Sequence, residues 1–107
     1  MPGRRVELLT LEGCPNAQAA HALVHRVVAG LELEADVASI QVEDAEAAER
    51  LRFLGSPTVR VDGRDVEPGA ETRSDYTLAC RLYSTPAGLA NVPAEEWVRD
   101  ALLRGSG

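Results

Sequence analysis

The chain has 107 residues, 45% of them apolar, and a formal net charge of −6. That length supports one domain with its own core, needing neither disulfides nor structural metal, and no apolar run reaches the roughly 18 residues of a membrane-spanning helix. All eleven basic residues are arginine and they are scattered along the sequence among seventeen acids, which argues against a general nucleic-acid binder.

Val6 to Leu11 is apolar on both faces and predicts a central strand. From Pro15 to about Gly30 the pattern turns helical. Ala20, Leu23, Val24, Val27 and Leu31 recur at i, i+3 and i+4, with Pro15 as the first helical residue and Gly30 as the C-cap. Leu33 to Val42 reads as a second strand, its apolar members being Val37, Ile40 and Val42. The segment EDAEAAERLRFL predicts a short helix opened near Asp44 and closed by Gly55, with Ala48, Leu51 and Leu54 facing the core. Thr58–Val61 and Asp65–Val66 flank Asp62-Gly63, a tight-turn dipeptide, and predict a hairpin.

EPGAETRSD is polar and loop-like, YTLACRLY fits a strand or a short helix with a strand near Arg81–Tyr83 expected, and STPAGLANVP reads as a loop. Pro93 or Ala94 opens a last helix with Trp97, Val98, Ala101 and Leu102 as its apolar stripe. Gly105-Ser106-Gly107 reads as a tail. The order is β-α-β-α-β-β-α, an α/β fold over residues 1–107 with an irregular insert before the last helix.

Two cysteines are too few for a disulfide framework or a four-cysteine zinc site. The segment after Arg4-Arg5 carries Glu7 and Glu12 and is too short and polar for an export signal. A cytoplasmic location with reduced thiols is therefore expected. Cys14, in Gly13-Cys14-Pro15, is expected at a helix N-terminus, where free N–H groups and a partial charge of roughly +0.5 favour thiolate over thiol. The same position also suits a small buried cysteine. Asn16 beside it has the chemistry to bond a substrate or to cap the helix. Glu12 would accept a proton, but its charge would oppose a thiolate. Cys80 lies among Leu78, Ala79 and Leu82, which suits a buried thiol, while Arg81 would favour its thiolate if the two side chains pointed the same way. His21 and His25 share a helix face at i, i+4, a zinc-compatible spacing, but no third ligand is evident and a solvated face is expected.

GCPNA at Gly13–Ala17 and GSPTV at Gly55–Val59, with the element order, resemble the thioredoxin fold. The longer stretches GSPTVRVDGRDVEPG and DYTLACRLYSTPAGLANVP are similar to a group of small bacterial thioredoxin-like proteins, some carrying selenocysteine and some labelled alkylmercury lyase. The resemblance implies a central mixed sheet flanked by helices, with Cys14 as the reactive thiol. It also implies a cis Pro57 facing that cysteine. Such a bond would leave the Ser56 backbone open to an extended peptide or a glutathione-like ligand. Ala17 stands where a second motif cysteine is usual, so a dithiol cycle within the motif is excluded.

The expected activity is thiol–disulfide chemistry through Cys14, on a protein or small-molecule thiol or disulfide. Pro15, Asn16, Ser56, Pro57 and Thr58 would contact the partner, and Cys80 or a small thiol would resolve the mixed disulfide. The alternatives are a binding module without catalysis and a soft-metal site formed by both thiols. No cofactor, resident metal, nucleic acid or membrane partner is expected.

Overall fold

Strand β1 (Arg4–Thr10) runs through the middle of the protein, with Val6, Leu8 and Leu9 fully buried. It pairs in parallel with β2 (Ala35–Gln41) and antiparallel with β3 (Thr58–Val61); β3 pairs antiparallel with β4 (Arg64–Asp65). The mixed sheet therefore has the order β2-β1-β3-β4. The computed structural model describes residues 4–104, and the Gly105-Ser106-Gly107 tail lies outside them.

The period-2 alternation of the strands divides the core. Val6 and Leu8 of β1 and Val59 and Val61 of β3 meet α1 (Ala17–Leu31) and α3 (Glu95–Arg104) on one face. Leu9 meets Val42, Ala47, Ala48 and Phe53 around α2 (Ala45–Arg50) on the other. The expected stripes of α1 and α3 are buried as Ala20, Leu23, Val24 and Val27, and as Val98, Ala101 and Leu102. Among the described residues, no helix is long and apolar enough to cross a membrane.

Three helix ends differ from the sequence reading. Pro15 is not helical. It follows Cys14 in a turn closed by the Ala17 N–H on the Cys14 carbonyl (3.3 Å), and Asn16 is the N-cap. Proline's fixed φ suits position i+1 of a turn as well as the first position of a helix. At the other end, Leu31 extends the buried stripe past Gly30, and Glu32 caps the helix in the left-handed region. For α2, Asp44 caps the start by accepting from the Ala47 N–H (2.8 Å), a bond worth about 1 kcal/mol. That helix ends at Leu51, with Arg52 at φ 55°, rather than at Gly55.

The predicted hairpin forms. Asp62 and Gly63 both have positive φ (51° and 84°), as a two-residue hairpin turn of this twist requires. The insert is less irregular than expected. It holds a 3-10 turn (Ala70–Thr72) and a second hairpin, β5 (Tyr83–Thr85) with β6 (Gly88–Ala90); β5 begins at the end of the expected Arg81–Tyr83 strand and continues, with β6, into the stretch read as a loop. The Thr85 hydroxyl donates to the Gly88 carbonyl and accepts from the Ala87 N–H, closing this turn around a glycine at φ 119°.

Adjacent leucines on α3 test which face meets the sheet. Leu102 is fully buried and Leu103 is 58% exposed. Leu102→Ala is expected to cost about 2–5 kcal/mol in urea unfolding, and Leu103→Ala less than about 0.5 kcal/mol.

Candidate functional site

The site forms where the loop after β1, the start of β3 and the insert meet. Thr10 ends β1, and the chain then turns so that the Cys14 N–H donates to the Leu11 carbonyl (3.1 Å). The Leu11 N–H in turn donates to the Ser56 hydroxyl (3.0 Å). Ser56 thereby fixes the base of the Cys14 loop. Cys14 is half-buried, and Pro15 is exposed beside it. The thiol's residue precedes Asn16, which makes no side-chain capping bond, so Cys14 stands about one turn ahead of α1 rather than on its first residues.

The Ser56–Pro57 peptide bond is cis. The Ser56 backbone, however, is not open to a partner. Its N–H donates to the Ala79 carbonyl and its carbonyl accepts from the Arg81 N–H, each at 2.9 Å. These bonds form an isolated parallel bridge with Cys80 opposite Ser56. The chain's own insert therefore lies where an extended peptide was expected. Pro57 and Thr58 are buried as well. The Pro57 carbonyl accepts from the Tyr83 hydroxyl (2.6 Å), and the Thr58 hydroxyl donates to the Gly55 carbonyl (2.6 Å). Of the residues expected to contact a partner, only Pro15 and Asn16 reach the surface.

Cys80 is exposed, against the expectation of a buried thiol, and both cysteines are free. From Cys80 to Tyr83 the segment alternates. Cys80 and Leu82 (62% exposed) face outward, while Arg81 and Tyr83 are buried; Leu78 and Ala79 before them are both exposed. The buried Arg81 side chain and the exposed Cys80 therefore do not point the same way. The Arg81 guanidinium is 1% exposed. Nη1 donates to Thr58 Oγ1 (2.9 Å) and Asp65 Oδ2 (2.8 Å), and Nη2 to Asp65 Oδ1 (3.1 Å) and Glu67 Oε1 (2.7 Å). Its Cζ also sits 4.3 Å from the centroid of the Tyr83 ring, a cation–π contact. Burial alone would lower the Arg81 pKa, but hydrogen bonds and charge from Asp65 and Glu67 outweigh it, and the pKa is raised above the ordinary value. Burial raises the Tyr83 phenol, with Arg81 opposing.

Gly55 serves this same junction. A Cβ there would lie 2.9 Å from the Arg81 Cβ and 3.1 Å from the Ala79 carbonyl oxygen, and its φ is 124°. The glycine expected to cap α2 instead lets the insert approach the backbone. Arg81 and Gly55 are named by the sequence reading, but in other roles: Arg81 as a neighbour of the Cys80 thiol and Gly55 as a helix end. The only local signal of their joint role is an arginine in an otherwise apolar stretch and a glycine before Ser-Pro.

His21 and His25 share a face, with ring centroids 6.0 Å apart, and the Ser39 hydroxyl lies 2.9 Å from His21 Nε2. Among the described residues no group of three or more His, Cys, Asp or Glu side chains is arranged to hold a metal ion. Searches found no family model and no curated protein that matches this chain.

Removing the buried cation leaves Asp65 without an ion-pair partner and Glu67 with Arg73 alone. Arg81→Ala is expected to destabilise the protein by about 3 kcal/mol or more in urea unfolding. Arg81→Lys is expected to recover only part of that loss, since an ammonium cannot reproduce the paired donors of a guanidinium.

Proposed function

We propose that this protein has a thioredoxin-like fold and carries out thiol–disulfide exchange through Cys14, with Cys80 as the resolving thiol. The fold reading draws support from the sheet order and from the position of Cys14 directly after the central strand. Pro57, opening the antiparallel β3, agrees with it. The observation that carries the functional reading is Ser56. Its hydroxyl holds the loop of Cys14 through Leu11, and its backbone holds the segment of Cys80. One buried serine thus ties together the segments that carry the chain's two thiols.

The chemistry balances with these groups. The Cys14 thiolate attacks a substrate disulfide, forming a mixed disulfide and releasing one substrate thiolate. The Cys80 thiolate then attacks the Cys14 sulfur and releases the second substrate thiol. The substrate gains two electrons and two protons overall, and the protein is left with a Cys14–Cys80 disulfide. Two equivalents of a small-molecule thiol restore both cysteines by exchange and leave as their own disulfide. Ala17 cannot take the resolving part, because it has no sulfur.

A second reading, a binding module without catalysis, is favoured by one feature. Both Ser56 backbone groups are already bonded within the chain, so an external strand would have to displace Ala79–Arg81.

Mass spectrometry of the reduced protein after one equivalent of a small aromatic disulfide separates the two readings. The exchange mechanism predicts that the native protein loses two hydrogens and retains no adduct. Cys80→Ser is expected to stop as an adduct on Cys14, and Cys14→Ser to react at least tenfold more slowly. A native protein that keeps its adduct, or that reacts first at Cys80, would contradict the mechanism and favour the module.

A further inference from the structure

A cavity of about 340 Å³ opens between the end of α2, the β3–β4 hairpin and the 3-10 turn. Neither cysteine lines it. Five of the chain's eleven arginines do: Arg50, Arg52, Arg60, Arg64 and Arg73. Concentrating nearly half of the cations at one cavity is unusual in a protein whose net charge is −6.

The acids nearby are mostly engaged elsewhere. Asp65 lines the cavity, but its carboxylate oxygens accept from Arg81. Arg73 is itself paired with Asp75 and Glu67. Glu71 is the other lining acid and is exposed. Among the described residues, Arg50, Arg52, Arg60 and Arg64 form no ion pair. Arg60 is half-buried and donates instead to the main-chain carbonyls of Leu51 and Arg52, which fixes it beside the end of α2. Burial lowers its pKa, with the charges of Asp65 and Glu7 opposing. A bound anion would offset that desolvation.

Arg52 occupies the left-handed region at φ 55°, a conformation glycine adopts freely and other residues adopt at a cost. This position thus carries an exposed cation where backbone geometry favours glycine. Half-buried Leu51 and Tyr76 and buried Leu54 and Ala70 provide an apolar wall. The volume falls within the range of small-molecule sites, and guanidinium groups match phosphate oxygens in paired geometry.

We propose that this arginine-lined cavity binds a small molecule bearing a phosphate or diphosphate group, with its less polar body against Leu54 and Tyr76. The protein's overall negative charge opposes loose anion accumulation, so recognition depends on the local cluster.

Calorimetric titration of the full chain with inorganic pyrophosphate tests this, using sodium chloride of matched ionic strength as the blank. One saturable site per chain is expected. Arg52→Gly removes the cation while relieving its backbone, so it should weaken binding at least tenfold without lowering the melting temperature. Arg64→Gln should weaken binding by a similar factor. Arg99→Gln on α3, outside the cavity, should leave it unchanged. Absence of saturable heat, native-like affinity in Arg52→Gly and Arg64→Gln, or equal weakening in Arg99→Gln would overturn the proposal.

Discussion

A guanidinium that is 1% exposed must find acceptors inside the protein, because desolvating an ion costs several kcal/mol that only close partners offset. Arg81 finds Asp65, Glu67 and Thr58. These partners come from β4, the segment just after it, and β3, whereas Arg81 belongs to the insert. The ion cluster therefore sets where the insert lies. With the side chain anchored inward, strand alternation turns the flanking Cys80 and Leu82 outward. The Arg81 N–H is also brought to the Ser56 carbonyl. Gly55 lets the two backbones come this close.

The same docking shapes the candidate site. Ser56, Pro57 and Thr58 form a buried spine, with the Cys14 loop bonded on one side and the insert on the other. Such a spine leaves exposed the surface around Cys14 and Pro15 on one side and Cys80 and Leu82 on the other. Under the exchange mechanism proposed above, a substrate would meet these surfaces, and the second thiol would come from a segment far away in the chain.

Much of the fold is legible in the sequence because it follows from local periodicity. The two-sided apolar run of β1, the stripes of α1 and α3 and the Asp62-Gly63 turn each carry their own signal. Element ends were less legible, since Pro15 is equally at home in a turn and in a first helical turn. The insert was least legible, for a specific reason. Hydropathy alone suggests burying Leu78 and Leu82 and exposing Arg81, yet the structure does the reverse. The decisive acceptors on Asp65 and Glu67 lie outside any local window. Cys14 and Ser56-Pro57 were recognisable as motifs, but the bonds that cover Ser56 come from long-range pairing.

The central claim is that the ion cluster holds the insert against Ser56. Amide hydrogen exchange, followed residue by residue, tests it most directly. In the native protein the Ser56 and Arg81 amides should be protected to a similar degree. In Arg81→Met both should lose that protection together, while the amides of β1 and β2 keep theirs. An Arg81 amide that exchanges at the unfolded-chain rate in the native protein would contradict the account, as would Ser56 protection unaffected by Arg81→Met.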